Sequence, residues 1–408
     1  MSMTKLPPAT PSRRSLLALG CLNFLLSGML AAFGPTAPAY LAAQGWTAKD
    51  IGFVLSIGGI ASLVSQVPGG EALDAVRAKR LLIAIGVVTV ASSILIFYFW
   101  PSFLPVVMAE VLQGSTGGVL GSGVVALSLG LVGHAKLADQ LGQNQRFAAA
   151  GGVAATLTMA VVAYFELPWA MFMPGALAVL VLLALSQIRA DEIDFRRASG
   201  GDDLHVDRLQ RVSRAALLKK RRLLIFAACA VLFQVANAPM LPLVSGILAH
   251  EGKREAAPLI AALIIVPQFM VVLLAPWVGE RAEERGRKSL LCVGFAALPI
   301  RAVLFALTNN PPALIAIQIL DGITASIVGV LTPLVIADVT KGTGRFNLAQ
   351  GVFGTLMGVG ASLSPTLTGL MVHHFGYSAG FMSLAGQGLL ALLIVALFLP
   401  ETKEAPPT

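Results

Sequence analysis

GEALDAVRAKR at residues 70–80 and GERAEERGRK at residues 279–288 are two copies of one charged signature, half of the 408-residue chain apart. Each copy lies between two long apolar stretches. Other pairs recur at a similar offset: EVLQG at 110–114 meets QILDG at 318–322, and PTAP at 35–38 meets PMLP at 239–242. The chain therefore reads as two parallel, mostly hydrophobic halves, a pattern of membrane proteins built from internal repeats.

Hydrophobic residues make up 56% of the sequence and charged residues 12%, with a mean hydropathy of +0.80. Soluble domains carry roughly 25% charged residues, so lipid must solvate most of this chain. Twelve stretches are apolar and long enough to cross a bilayer, which takes roughly 20 helical residues. They are 15–41, 49–68, 81–100, 103–131, 147–165, 168–188, 223–249, 256–278, 289–307, 312–337, 346–372 and 378–399. The expected fold class is an all-α membrane protein, twelve transmembrane helices in two pseudo-symmetric six-helix bundles. Its expected parts are a cytoplasmic tail (1–14), one bundle (15–188), a cytoplasmic central loop (189–222), a second bundle (223–400) and a cytoplasmic tail (401–408).

The net charge of +8 follows from topology and does not point to nucleic acid. On the outer side fall only Lys49, at the very start of its span, and the loop residues Lys253 and Arg254, and only Arg301 falls deep within a span. Every other Lys and Arg sits in an inner loop or tail. That asymmetry is the positive-inside rule, and it places both termini in the cytoplasm. Cys21, Cys229 and Cys292 lie within spans and read as packing residues, with no disulfide framework. The first apolar segment, behind Arg13 and Arg14, is about 27 residues long, beyond a signal-peptide core, and reads as a retained helix. In the central loop, Leu204, Leu209, Val212 and Ala216 recur at helical spacing among Arg208, Arg211 and Arg214. That is the pattern of a short amphipathic helix on the inner leaflet, or of a solvated linker.

No HExxH, P-loop or spaced Cys/His set occurs, so no enzyme, cofactor or metal centre is expected. Gly114, Gly117, Gly118, Gly121 and Gly123 sit mid-span with no following Lys-Ser/Thr. Their GxxxG pairs read as close helix packing, not as a phosphate cradle.

The paired signature, the parallel halves, the twelve spans and the loop charge together resemble the major facilitator superfamily. The signature of that family runs approximately GxxxDRxGRR/K between helices 2 and 3 and again between helices 8 and 9. In the second copy Gly279, Glu283, Gly286, Arg287 and Lys288 follow it, with Glu in place of Asp. In the first copy Gly70, Asp74 and Lys79 match, while Arg77 replaces the second Gly and Ala78 replaces an Arg. The resemblance covers nearly the whole chain. It implies a secondary transporter of a small molecule that works by alternating access, with spans 1, 4, 7 and 10 lining a cavity. It also implies that these loop residues form a cytoplasmic latch favouring the outward-open state. A carboxylate at a helix end, beside cations and another helix's N-terminus, suits such a latch. With no nucleotide-binding motif, energy is expected from an ion or substrate gradient.

An ionisable group within a span costs on the order of 3 kcal/mol on insertion scales. Three lie deep: Glu110 in span 4, Arg301 in span 9 and Asp321 in span 10. Arg301 and Asp321 are expected to form an intramembrane ion pair. Glu110 has no basic partner in its own half, and a carboxyl withdrawn from water exchanges a proton as its access to water changes. Glu110 is therefore expected to carry proton coupling, with Asp321 second. In many drug antiporters of the family an Arg holds the place of Glu110, in a pattern resembling RxxQG of which Gln113 and Gly114 keep the rest.

The polar candidates for the cavity are Asn23, Gln113, Thr116, Gln234, Asn237 and Gln318, each able to bond between helices or to touch substrate. So apolar a cavity suits a neutral, cationic or amphipathic compound. The PxxP motifs in spans 1 and 7 are expected to interrupt helical hydrogen bonding. His373 and His374 read as an exposed pair, not as a metal site. The resulting expectation is a monomer in a bacterial inner membrane that exports a drug or metabolite against protons. Proton-coupled uptake of a nutrient is the alternative.

Overall fold

The computed structural model describes residues 11–165, 172–201, 213, 220–250 and 256–403. It is all-helical, with no strand among the described residues. In chain order the helices are α1 (Arg13–Ala43), α2 (Ala48–Ala75), α3 (Lys79–Phe99), α4 (Phe103–Ser115, resuming as Gly117–Val132), α5 (Leu137–Tyr164) and α6 (Met173–Gln187). Then follow α7 (Arg221–Asn237, resuming as Met240–His250), α8 (Ala256–Arg285), α9 (Arg287–Leu307) and α10 (Pro311–Thr340). The last helical stretch, Phe346–Phe398, is two helices, α11 (346–375) and α12 (377–398). They are joined at Gly376, whose φ of 84° is open to glycine and costly to other residues. Residues 1–212 with 340–352 make one compact unit, and residues 213–339 with 353–408 make the other. The first turns of α11 thus pack within the first unit, and the rest of that helix within the second.

Three local features depart from the hydropathy reading. α5 begins at Leu137, not at 147, because its polar first turns are held from within: Gln140 Nε2 donates to Asn144 Oδ1 (2.9 Å) and Asn144 Nδ2 donates to Ser128 Oγ (2.7 Å) on α4. α2 and α8 run on past 68 and 278, carrying the acidic halves of the two signatures as helix. The PxxP motifs behave differently from each other. α1 stays helical through 35–38, whereas α7 breaks at 238–239. The residues flanking that second break, Asn237 and Met240, both contact Arg301. The loop residues Leu204, Leu209, Val212 and Ala216, with Arg208, Arg211 and Arg214, lie outside the described residues.

In the first unit α1 packs on α5 and α6, and α2 packs on α4. The core gathers Leu19, Leu22, Met29 and Phe33 of α1 with Val87, Val90 and Phe97 of α3 and Val181 and Leu185 of α6. Phe33 meets Phe97 edge-on at 5.5 Å. In the second unit, Phe233 packs on Phe295 at 5.1 Å and Phe305 on Phe381 at 5.5 Å. Large apolar side chains such as Ile60, Val64, Leu367 and Leu397 face outward, as a lipid-facing surface requires.

The glycine run of α4 allows the close approach to α2. A Cβ on Gly118 would lie 2.6 Å from the Cα of Gln66, and one on Gly114 would lie 2.9 Å from the backbone N of Ser62. Backbone cannot give way as a flexible side chain can. Gly118→Leu is therefore expected to destabilise the first unit by about 1–3 kcal/mol or more, read as a lowered melting temperature in detergent. Gly121→Leu, where a Cβ meets nothing within 4 Å, should melt like the wild type.

Candidate functional site

Two kinds of polar structure stand out: networks at the two signature loops, and a few polar groups buried within the helices.

In the first loop Asp74 is 1% exposed. Its Oδ1 accepts from Asn347 N (3.2 Å) and Asn347 Nδ2 (2.8 Å), and its Oδ2 accepts from Leu348 N (2.9 Å). These are the first peptide groups of α11, so Asp74 places a carboxylate on the N–H groups a helix start leaves unsatisfied. Gly70 makes room for this, since a Cβ there would collide with the Asn347 carbonyl. Glu71 pairs with Arg345 at 3.4 Å. Lys79, buried at the start of α3, donates to the Leu73 carbonyl and to Ser199 Oγ (3.1 Å), and lies 4.9 Å from the Phe195 ring centroid.

In the second loop Arg287, also buried, opens α9. It donates to the Ala282 carbonyl (2.8 Å), to Glu283 Oε1 (3.3 Å) and to Asp338 Oδ2 (3.0 Å). Gly279 is buried at the end of α8. Gly286 turns the chain at φ 88°, where a Cβ would also strike the Glu401 carboxyl. Glu401 caps α9, accepting from the backbone N of Arg287 (2.9 Å) and Lys288 (3.1 Å). The Lys403 ammonium donates to the Glu283 carbonyl.

Sequence matching pairs Lys79 with Lys288, but the structure gives Lys79 the post of Arg287. Each opens its helix, is buried, and donates to the carbonyl just before the signature acid, Leu73 before Asp74 and Ala282 before Glu283. The spacing from signature acid to buried cation is one residue longer in the first copy, which is why Ala78 seemed to stand where a cation was due. Glu401 and Asp338 were missed by the sequence reading, although the PETK ending at 400–403 contained the first of them.

Burial pushes the Glu401 carboxyl up, but the N–H groups of Lys403, Arg287, Lys288 and Thr402 outweigh it and hold it below the usual carboxylate range. A carboxyl lowered by folding adds stability above its unfolded value, about 4.3, and loses it as pH falls through the folded value. Glu401→Gln should therefore lower the melting temperature at pH 7, with the gap to wild type closing below about pH 4. A gap that persists in acid would mean that the ionised form is not what matters.

Within the helices of the second unit, Arg301 is 2% exposed and gathers a set of partners. Its Nη1 pairs with Asp321, its Nη2 donates to Asn237 Oδ1 (2.9 Å), and its Nε lies 3.1 Å from Met240 Sδ. Gln318, 1% exposed, donates to the Leu263 carbonyl of α8 (3.1 Å), while its Oε1 is buried with no hydrogen-bond partner among the described residues. Gln234 is half-buried one turn before the α7 break.

In the first unit, Glu110 is 7% exposed and has no hydrogen bond or ion pair among the described residues. Its carboxyl lies against Gly58 of α2, where a Cβ would collide with Oε2. One turn on, Gln113 Oε1 is buried with no hydrogen-bond partner among the described residues, and Thr116 Oγ1 donates to the Gln113 carbonyl (2.7 Å) at the break in α4. Asn23 donates to the Leu19 carbonyl of its own helix (2.8 Å). His373 and His374 are exposed with ring centroids 5.0 Å apart. No group of three His, Cys, Asp or Glu suited to a metal occurs among the described residues.

Twelve apolar helices in two units, with a matched network at each signature loop, can be set beside known proteins. A sequence profile of the Major Facilitator Superfamily matches residues 19–312 and 256–408. The chain belongs to the major facilitator superfamily. Within that superfamily it is 37% identical over 394 residues to an uncharacterized MFS-type transporter of Mycobacterium tuberculosis, covering 95% of this chain and 94% of that one. It is 24% identical over 125 residues to the tetracenomycin C resistance and export protein of Streptomyces glaucescens, covering 31% of this chain and 23% of that one. The MFS fold itself matches the solved structure of the proton:xylose symporter XylE bound to 6-bromo-6-deoxy-D-glucose, with a TM-score of 0.73 at 14% identity over 96% of each chain. This is a multi-pass membrane protein of a transporter family, with a small-molecule substrate, and not an enzyme.

Proposed function

We propose that this transporter exports a small organic compound, a drug or metabolite, in exchange for protons, by alternating access. The observation that carries the reading is Glu110: a carboxyl buried in α4 that, among the described residues, has no ion pair or hydrogen bond to fix its charge. Such a group is free to gain and lose a proton as water reaches it, whereas Asp321 is engaged by Arg301 and stands second for that role. Export draws support from the tetracenomycin relative and from the apolar surroundings of these groups. Gln113, with an unpartnered buried oxygen, and Thr116, Gln234, Asn237, Gln318 and Asn23 are the side chains proposed to meet substrate on α4, α7, α10 and α1. The networks of Asp74 and Lys79 and of Glu283, Arg287 and Lys288 are proposed to act as the latch, on the basic side, which faces the cytoplasm of a bacterial inner membrane. The working form is proposed to be a monomer that binds no nucleic acid.

The test uses everted vesicles with an acidified lumen and a pH-sensitive dye, challenged with antibiotics, dyes, siderophores and metabolites. Proton release triggered by a compound is the expected result, and it names the substrate class. Silence across the panel with well-expressed protein, together with proton-driven accumulation of a nutrient in whole cells, would replace export by uptake.

A further inference from the structure

Where α1 begins and α6 ends, the first unit carries an outward-facing groove of about 850 Å³. Its walls are apolar: Leu17 is 57% exposed, Leu180 45% and Leu183 55%, and Cys21 is exposed beside them. Its mouth is cationic, formed by Arg13 and Arg14. Both arginines are exposed, and among the described residues neither meets a carboxylate. Arg14 donates to Gln187 Oε1 across the mouth, which ties the two helices together and leaves its remaining donors outward. The nearby acid Glu192 is already taken, by Ser12 N and Oγ (3.0 Å each) and by Arg189 (3.5 Å). Two cations in the first turn of a helix oppose its dipole, and no acid in that turn offsets them. An inner-side charge bias needs cations in the loop, but it does not need them at the head of an apolar furrow.

We propose that this groove holds an anionic diacyl phospholipid, its phosphate at Arg13 and Arg14 and one acyl chain along Leu17, Cys21, Leu180 and Leu183. The apolar wall is no more favourable for one lipid tail than for another, so selectivity comes from the headgroup. Basic residues at the membrane surface attract anionic lipid by about fivefold each, so the pair favours a charged headgroup over a zwitterionic one by roughly twenty-fivefold. Neither the direction of transport nor the coupling ion enters this inference.

The experiment is native mass spectrometry of the full chain in mild detergent, titrated with phosphatidylglycerol or with phosphatidylcholine of the same chains. Phosphatidylglycerol should bind more tightly, by at least tenfold. Arg13→Gln/Arg14→Gln should erase the difference. Leu183→Trp, which fills the furrow and keeps both arginines, should weaken phosphatidylglycerol binding and so guards against misfolding of the double variant. Equal retention of the two lipids by the wild type, an unchanged preference in the double arginine variant, or undiminished phosphatidylglycerol binding in Leu183→Trp overturns the proposal. Glycerol phosphate displacing the lipid at comparable concentration also overturns it, by showing an anion site with no use for the furrow.

Discussion

Asp321→Leu should cost about 3–5 kcal/mol of stability, and Arg301→Met distinctly less, although they remove two ends of one ion pair. The difference comes from what each change leaves behind. Without Asp321, a guanidinium only 2% exposed keeps its charge, since arginine does not give up its proton in proteins, and Asn237 and Met240 offer it no counter-charge. Without Arg301, the remaining carboxyl is 25% exposed on its side chain and can take up a proton. Arg301→Met/Asp321→Leu together should recover most of the loss, because an apolar pair of similar volume replaces a buried ion pair at little cost. Melting curves of the four proteins in one detergent decide the matter. Equal losses from the single variants, or a double variant no better than Asp321→Leu, would show that the pair is not what holds α9 to α10.

Glu110→Gln should remove proton release in vesicles altogether while leaving folding intact. Glutamine fills the same space against Gly58 but cannot carry a proton. Among the described residues no ion pair or hydrogen bond is lost with the charge, so the melting temperature should hold or rise. Downhill exchange of labelled substrate, which needs no proton, should survive. A variant that still releases protons on addition of compound would remove Glu110 from the coupling role and leave Asp321 to be tested next.

The architecture was legible because lipid leaves a coarse imprint: long apolar runs, cations on one side, and a loop signature written twice. What hydropathy could not show were the helical turns that are polar yet buried, such as Asn144 at the start of α5 and Asp74 at the end of α2. There hydrogen bonds replace apolar contact as the reason for burial. The three deep charges were also visible, since each costs too much to sit in a span without purpose. Their partners were only partly so. Asp321 could be paired with Arg301 from the spacing of neighbouring spans, but although the PxxP motif marked a break in α7, nothing in the sequence showed that Asn237 and Met240 beside it reach the same guanidinium. Lys79 was placed one position away from its structural counterpart because a loop residue can be inserted without any change in charge count.

The capping of α11 by Asp74 also bears on how the chain is made. The carboxylate and its donors at Asn347 are 273 residues apart. At translation rates of about 5–20 residues per second, tens of seconds separate their syntheses. Throughout that interval, while α3 to α10 are made, the carboxylate waits for the α11 donors that it caps in the finished protein. The repeats have similar sequences, yet the first compact unit takes in thirteen residues, 340–352, that belong to the later half of the chain.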